Sequence, residues 1–160
     1  MKIKRLNTGD AAVGDSDIIL YTGGIGSCVV ICLWDPYLKI GGMAHMPLSH
    51  STQSVSRESF SFGIAPDVAF PYLLQKMKTI GSQHEHLTLR LVGGGNMFSE
   101  IKSFTDIGKE ILATTRSMAI DLKLPLQKSC TGGKFGKSAE FNIYTGDIYV
   151  CHTNGDVDEI

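Results

Sequence analysis

The sequence predicts an α+β fold: a single-domain layered sandwich of mostly antiparallel strands with two main helices. Three observations predict it. Short apolar and β-branched runs, among them Ile18 to Tyr21, Val29 to Trp34 and Leu87 to Val92, are bounded by glycine and proline. Two segments, Pro66 to Ile80 and Thr105 to Ile120, carry apolar residues at helical spacing. Asp35-Pro36-Tyr37-Leu38 and Thr145-Gly146 have the chemistry of hairpin turns, which favours antiparallel neighbours over a doubly wound parallel sheet. A chain of 160 residues with 42% hydrophobic content is long enough for one well-buried core and short for two. The expectation is one domain over 1–160, with mobile ends at 1–16 and 153–160.

Taken in order, a short strand near Ile3 to Leu6 and a polar turn ending in Gly14-Asp15-Ser16 precede the strand Ile18 to Tyr21. That strand delivers Thr22 to its end, where the run Gly23-Gly24-Ile25-Gly26-Ser27 begins. Val29 to Trp34 and Ile40 to Pro47 are the arms of a hairpin. Ser49 to Gly63, rich in serine and without apolar period, reads as a mobile loop. In the first helix Pro66 suits the first turn and Gly81 lies just past the end, while Pro71 predicts a later start or a bend. Gly93-Gly94-Gly95 breaks the strand Leu87 to Val92. The second helix places Ile107, Ile111, Leu112, Thr115, Met118 and Ala119 on one side. Leu124 to Cys130, Ser138 to Tyr144 and Asp147 to His152 read as strands, and the polar tail after His152 reads as frayed.

Composition excludes several functions. Net charge is −1 and, apart from Lys2, Lys4 and Arg5 at the start, the Lys and Arg residues are scattered, so the basic stripe of a nucleic-acid binder is missing. The apolar runs fall far short of the roughly 20 residues of a membrane span. The start, Met-Lys-Ile-Lys-Arg-Leu-Asn-Thr-Gly-Asp, is not followed by an apolar segment of signal-peptide length, so the four cysteines are read as thiols in a reducing compartment and the protein as cytoplasmic. Cys28 and Cys32 lack a zinc-ligand pattern, and His84-Glu85-His86 has no third ligand nearby in sequence. The expectation is no metal and no cofactor, with His84 and His86 facing solvent and His50 and His152 without functional context. Thr131-Gly132-Gly133-Lys134-Phe135-Gly136-Lys137-Ser138 comes close to a phosphate-binding loop. It fails because threonine stands where the first glycine belongs and a strand, rather than a helix, is predicted to follow.

The chemistry concentrates at Cys28, where a glycine turn becomes a strongly apolar run. If Asp35 to Leu38 form the hairpin loop, Trp34 pairs with Lys39 and Cys28 lies opposite His45, side chains on one face about 5 Å apart at Cβ. A one-residue slip separates them, and Gly41-Gly42 is a candidate bulge. Thr22 is placed to offer a hydroxyl acceptor to the second imidazole nitrogen. Successive amides around Gly26, Ser27 and Cys28 form a candidate anion nest. Cysteine, histidine and an orienting acceptor are the parts of an activated thiol site, and this setting predicts that Cys28 is the thiol of lowered pKa. A buried cysteine and a satisfied core histidine are the alternative readings of the same residues; Cys32, between Ile31 and Leu33, is read as packing.

These residues also resemble a known family. Gly-Ile-Gly-Ser-Cys-Val-Val-Ile-Cys-Leu-Trp-Asp-Pro, then Gly-Gly-Met-Ala-His-Met-Pro-Leu, is similar to the chemoreceptor glutamine deamidase family, CheD. Pro66 to Pro71, Leu91 to Met97, Asp106-Ile107-Gly108 and Gly132 to Lys137 fit in order, so the likeness runs from about Ile18 to Val150. Lys137 departs from the arginine found in many relatives, keeping the charge without the bidentate fork. The resemblance implies that Cys28 is the nucleophile, His45 the base and Thr22 its orienter. It implies glutamines on the cytoplasmic helices of methyl-accepting chemotaxis receptors as substrates. It also leaves a second role open, a binding module that stimulates a CheC-type CheY-phosphate phosphatase.

Overall fold

A computed structural model describes residues 1–51, 63–98 and 106–160. The strands are β1 (Lys2–Leu6), β2 (Ala11–Gly14), β3 (Ile18–Ile25), β4 (Val29–Asp35), β5 (Ile40–Met46), β6 (Thr88–Gly93), β7 (Cys130–Thr131), β8 (Lys137–Asn142), β9 (Ile148–His152) and β10 (Val157–Glu159). The helices are α1 (Pro66–Thr79) and α2 (Ile107–Asp121), with a 3-10 turn at His84–His86. One sheet runs β1-β3-β8-β9-β10 and the other β2-β5-β4-β6-β7. Pairing is antiparallel except for β1 with β3 and β6 with β7, so the α+β architecture expected is the one found. Among the described residues no helix is long and apolar enough to cross a membrane.

Two cores explain why β4 is apolar at nearly every position. Val30 and Cys32 face the other sheet, meeting Leu20, Ile25, Phe141 and Val150. Val29, Ile31 and Leu33 face the helices, meeting Phe70, Leu73, Met77 and Ile111. A strand covered on both faces loses the alternation that β8 keeps. Helix α1 lacks a side-chain N-cap and contains Pro71, which costs about 3 kcal/mol in a helix interior. It still starts at Pro66 and continues through Pro71, because burying Phe70, Leu73 and Met77 contributes about 1.5–3 kcal/mol each. Helix α2 has a cap, Asp106 accepting from the Lys109 amide at 3.0 Å. Residue 105 and the part of the serine-rich loop at 52–62 lie outside the described residues.

Several expectations change. Asp35 Oδ1 accepts from the amides of Tyr37 and Leu38, so Asp35 stays in the strand paired with Ile40 and the turn becomes Pro36 to Lys39, with Lys39 at φ 55. Gly41 and Gly42 are not a bulge but unbroken ladder. A Cβ on Gly41 would meet Phe141 and Ile143, and one on Gly42 would meet Leu73 and Met77, so the pair lets both neighbouring layers approach β5. The register shift falls instead in β3, between Thr22 and Ile25. The chain 124–130 holds only a bridge from Leu126 to Leu89 before β7, since Pro125 has no N-H to continue a ladder. Ile107 is exposed rather than packed. The polar tail read as frayed forms β10 on β9, and Ile160 exchanges both backbone bonds with Ile148. Backbone pairing on an open sheet edge does not need apolar side chains.

Candidate active site

Strands β3 and β5 come from different sheets, and their facing side chains meet between them. Thr22 and His45 are both fully buried, with Thr22 Oγ1 2.7 Å from His45 Nδ1. The Thr22 hydroxyl donates its one proton to the Leu6 carbonyl at 2.9 Å. Its oxygen is therefore the acceptor for the imidazole, which assigns the proton to Nδ1 and the lone pair to Nε2. Nε2 is buried and has no hydrogen-bond partner among the described residues. Burial pushes the His45 pKa down to about 4, against a smaller upward pull from Asp10. The imidazole is thus neutral at physiological pH, with a free, desolvated base nitrogen.

The N-terminal segment, expected to be mobile, frames this histidine. Leu6 is paired with Thr22, the Gly9 amide donates to the His45 carbonyl at 2.8 Å, and the His45 amide donates to the Asp10 carbonyl at 3.0 Å. These partners are missed in the sequence because parallel pairing and backbone contacts leave no residue-type signal.

His45 faces Val30, not Cys28. The shift is two residues, so parity is kept: Val30 and Cys32 pair with His45 and Met43, and Cys28, just before the strand, has the same parity. Cys28 lies one residue before β4, half-buried, and no hydrogen bond joins it to His45. Burial raises its thiol pKa, with a smaller lowering from its own backbone amide, which overturns the expectation of a lowered value. The reason is that a neutral imidazole offers no positive charge to stabilise a thiolate. Cys32 is fully buried and its pKa is pushed up to about 12, as a packing thiol should be.

Three glycine segments close around the Cys28 turn. Gly94 N donates to Cys28 O at 2.8 Å and Gly95 N to Gly26 O at 3.0 Å, while Asn96 N donates to Gly133 O at 2.9 Å. Gly93 and Gly94 have φ of 104° and 67°, and a Cβ at these positions would strike Cys28 O and Leu112 respectively. The phosphate-loop look-alike is this third segment, followed by β8 as expected. Lys137 is buried, and its Nζ donates to Gly132 O at 2.7 Å and Phe135 O at 3.2 Å, bracing the loop from beneath. A cleft of about 140 Å³ opens beside Ser27, lined by Gly95, Asn96, Met97, Phe98, Asp106 and Ile107. A larger groove of about 440 Å³ between Pro71 and Leu87 includes none of Thr22, Cys28 and His45.

Of the two histidines expected to face solvent, His84 is exposed, with its Nε2 2.7 Å from Leu122 O, whereas His86 is half-buried, packs on Tyr37 and lies 3.4 Å from Asp35. His152, read as without context, joins Cys130 and Asp158.

The structure thus holds a half-buried thiol on a glycine turn and, on β5, a neutral imidazole anchored by the Thr22 hydroxyl. The family model described as CheD chemotactic sensory transduction matches residues 46–152. The chemoreceptor glutamine deamidase CheD of Thermotoga maritima is 32% identical over 95% of this chain and 93% of its own. A probable chemoreceptor glutamine deamidase CheD of Caldanaerobacter subterraneus is 35% identical over 93% and 92%. Bacillus licheniformis hypothetical protein YfiH is similar in structure at a TM-score of 0.48 and 12% identity, covering 76% of this chain and 51% of that one. The chain belongs to the CheD family.

Proposed function

We propose that this chain is a protein-glutamine deamidase that converts glutamine side chains on the cytoplasmic helices of chemotaxis receptors to glutamate. Cys28 is the nucleophile, His45 the general base and acid, and Thr22 the residue that holds the imidazole tautomer. The observation that carries the reading is the Thr22–His45 contact at 2.7 Å, which leaves a buried, unpartnered Nε2 on the side of the sheet that Cys28 shares by parity. The names of the relatives supply the substrate class.

The resting pair is neutral thiol and neutral imidazole. As the substrate enters and excludes water, the Cys28 proton passes to His45 Nε2 and sulfur attacks the carboxamide carbon. Amides of the Gly26-Ser27-Cys28 turn take the oxyanion; the turn's carbonyls are already held by Gly95 and Gly94. The C–N bond breaks, Nε2 returns its proton to the departing nitrogen, and ammonia leaves a thioester. Water then gives a proton to Nε2 and attacks the same carbon; as the C–S bond breaks, Nε2 returns that proton to the departing sulfur, restoring the thiol, and the carboxylic acid released loses its proton to solvent as glutamate. This chemistry asks for no metal or cofactor, and its place is the cytoplasm, where the receptor helices lie. Exposed Met97, Phe98 and Ile107 around the cleft beside Ser27 suit the apolar face of a helix.

The same rim suits a protein partner that acts by occupancy, so a CheC-type phosphatase docked there is the second reading. One experiment separates them. Receptor cytoplasmic fragments are incubated with wild type, Cys28→Ala and Cys28→Ser, and read by mass spectrometry for conversion of carboxamide to carboxylate; stimulation of the phosphatase is measured alongside. Conversion by wild type alone supports the deamidase. Stimulation by all three proteins, without conversion by any, supports the binding module.

A further inference from the structure

We propose that Cys130, His152 and Asp158 form a transition-metal site of the zinc class that clasps the two sheets together at one edge of the sandwich. Cys130 comes from β7, the last strand of one sheet; His152 and Asp158 come from β9 and β10, the last strands of the other. The only pairing between these segments is within the second sheet, so the cluster spans the gap between layers.

The donor atoms converge on one point. Cys130 Sγ lies 3.7 Å from His152 Nε2 and 3.5 Å from Asp158 Oδ2, and His152 Nε2 lies 2.7 Å from Asp158 Oδ2. A tetrahedral zinc with its usual bond lengths separates sulfur from nitrogen or oxygen by about 3.5 Å, and nitrogen from oxygen by about 3.3 Å. Two edges already match. The third needs only a small outward swing of Asp158, whose side chain is exposed. A catalytic cysteine triad would put the carboxylate on Nδ1, behind the ring; here sulfur and carboxylate share Nε2, so the arrangement is a donor set and not a relay. Thiolate, imidazole and carboxylate are a ligand mixture that zinc takes, and with a divalent ion their net charge is zero. The half-buried sulfur and exposed carboxylate leave the fourth position to water. Binding forms the metal–sulfur bond with release of the thiol proton to solvent. Because Thr131 and Gly132 follow Cys130 directly, and Gly132 N donates to Gly93 O at 2.8 Å, an ion here would also stiffen the glycine loop beside the Cys28 turn.

The test uses the purified full-length chain, stripped of metal, titrated with Co²⁺ under ultraviolet and visible absorption and with Zn²⁺ in a calorimeter. One equivalent of Co²⁺ should give a thiolate-to-metal charge-transfer band, displaced by Zn²⁺. Cys130→Ser should abolish the band, and His152→Gln and Asp158→Asn should each weaken Zn²⁺ binding by about tenfold or more. Cys28→Ser and Cys151→Ser should leave both signals unchanged; Cys151, adjacent to His152, controls for a neighbouring thiol. Circular dichroism of each variant verifies that it is folded. A band that survives Cys130→Ser, no band at millimolar Co²⁺, or Zn²⁺ affinity unchanged in His152→Gln would each overturn the site.

Discussion

Two histidines in this chain meet a side-chain oxygen, and they are wired in opposite ways. Around His45 the oxygen of Thr22 sits on Nδ1 and leaves Nε2 bare and buried. Around His152 both Asp158 and Cys130 crowd Nε2. The first wiring fixes a tautomer and presents a base; the second gathers donors around a point. Residue types alone do not separate these two arrangements: the nitrogen each partner occupies does.

The comparison breaks most visibly in activity. Cys28→Ala should abolish receptor-glutamine conversion, and His45→Ala should lower it by about 10²–10⁴-fold, while His152→Ala, compared with wild type in metal-free buffer, stays within about twofold. Equal losses at His45 and His152 would erase the distinction.

The next largest effect is on stability against pH. His45 has a folded pKa of about 4, below its value of about 6.5 in an unfolded chain, so the unfolded state binds more protons between these limits. Its contribution is complete above about pH 6.5 and is lost as pH falls toward 4, on the order of 3 kcal/mol at most. Denaturant melts of wild type and His45→Gln across this window should show a shallower slope for the variant. Parallel slopes would mean the imidazole is not held neutral.

A smaller effect belongs to Thr22→Val, which removes the acceptor and keeps the shape. Activity should fall by roughly tenfold, with kcat affected more than KM, because tautomer and pose are biased rather than the base removed. Nitrogen chemical shifts of the His45 ring should move from a pure Nδ1-H form toward a mixture. The smallest effect is in thiol labelling. Because burial raises the Cys28 pKa, iodoacetamide modification in the folded protein should climb steadily with pH toward and beyond 9. A plateau at mildly acidic pH would show a resting thiolate.

The sequence by itself determined the layer class and most of the elements. Apolar period, glycine punctuation and turn chemistry act over a few residues, and a chain with two buried faces on β4 shows that burial as an unbroken apolar run. It also brought Thr22, Cys28 and His45 together as candidates, since a strand has period two and a register error of two leaves every side chain on its own face. Only the tertiary structure decided the rest. It showed Asp35 capping the turn and moving the hairpin register, and Leu6 taking the Thr22 proton and so setting the tautomer. It showed burial raising the Cys28 pKa while lowering that of His45. It drew Gly94, Gly95 and Gly133 around the Cys28 turn, and Cys130, His152 and Asp158 to one point across two sheets. These depend on contacts between residues far apart in the chain and on water excluded from a site, and neither distance nor dielectric is written in the order of residues.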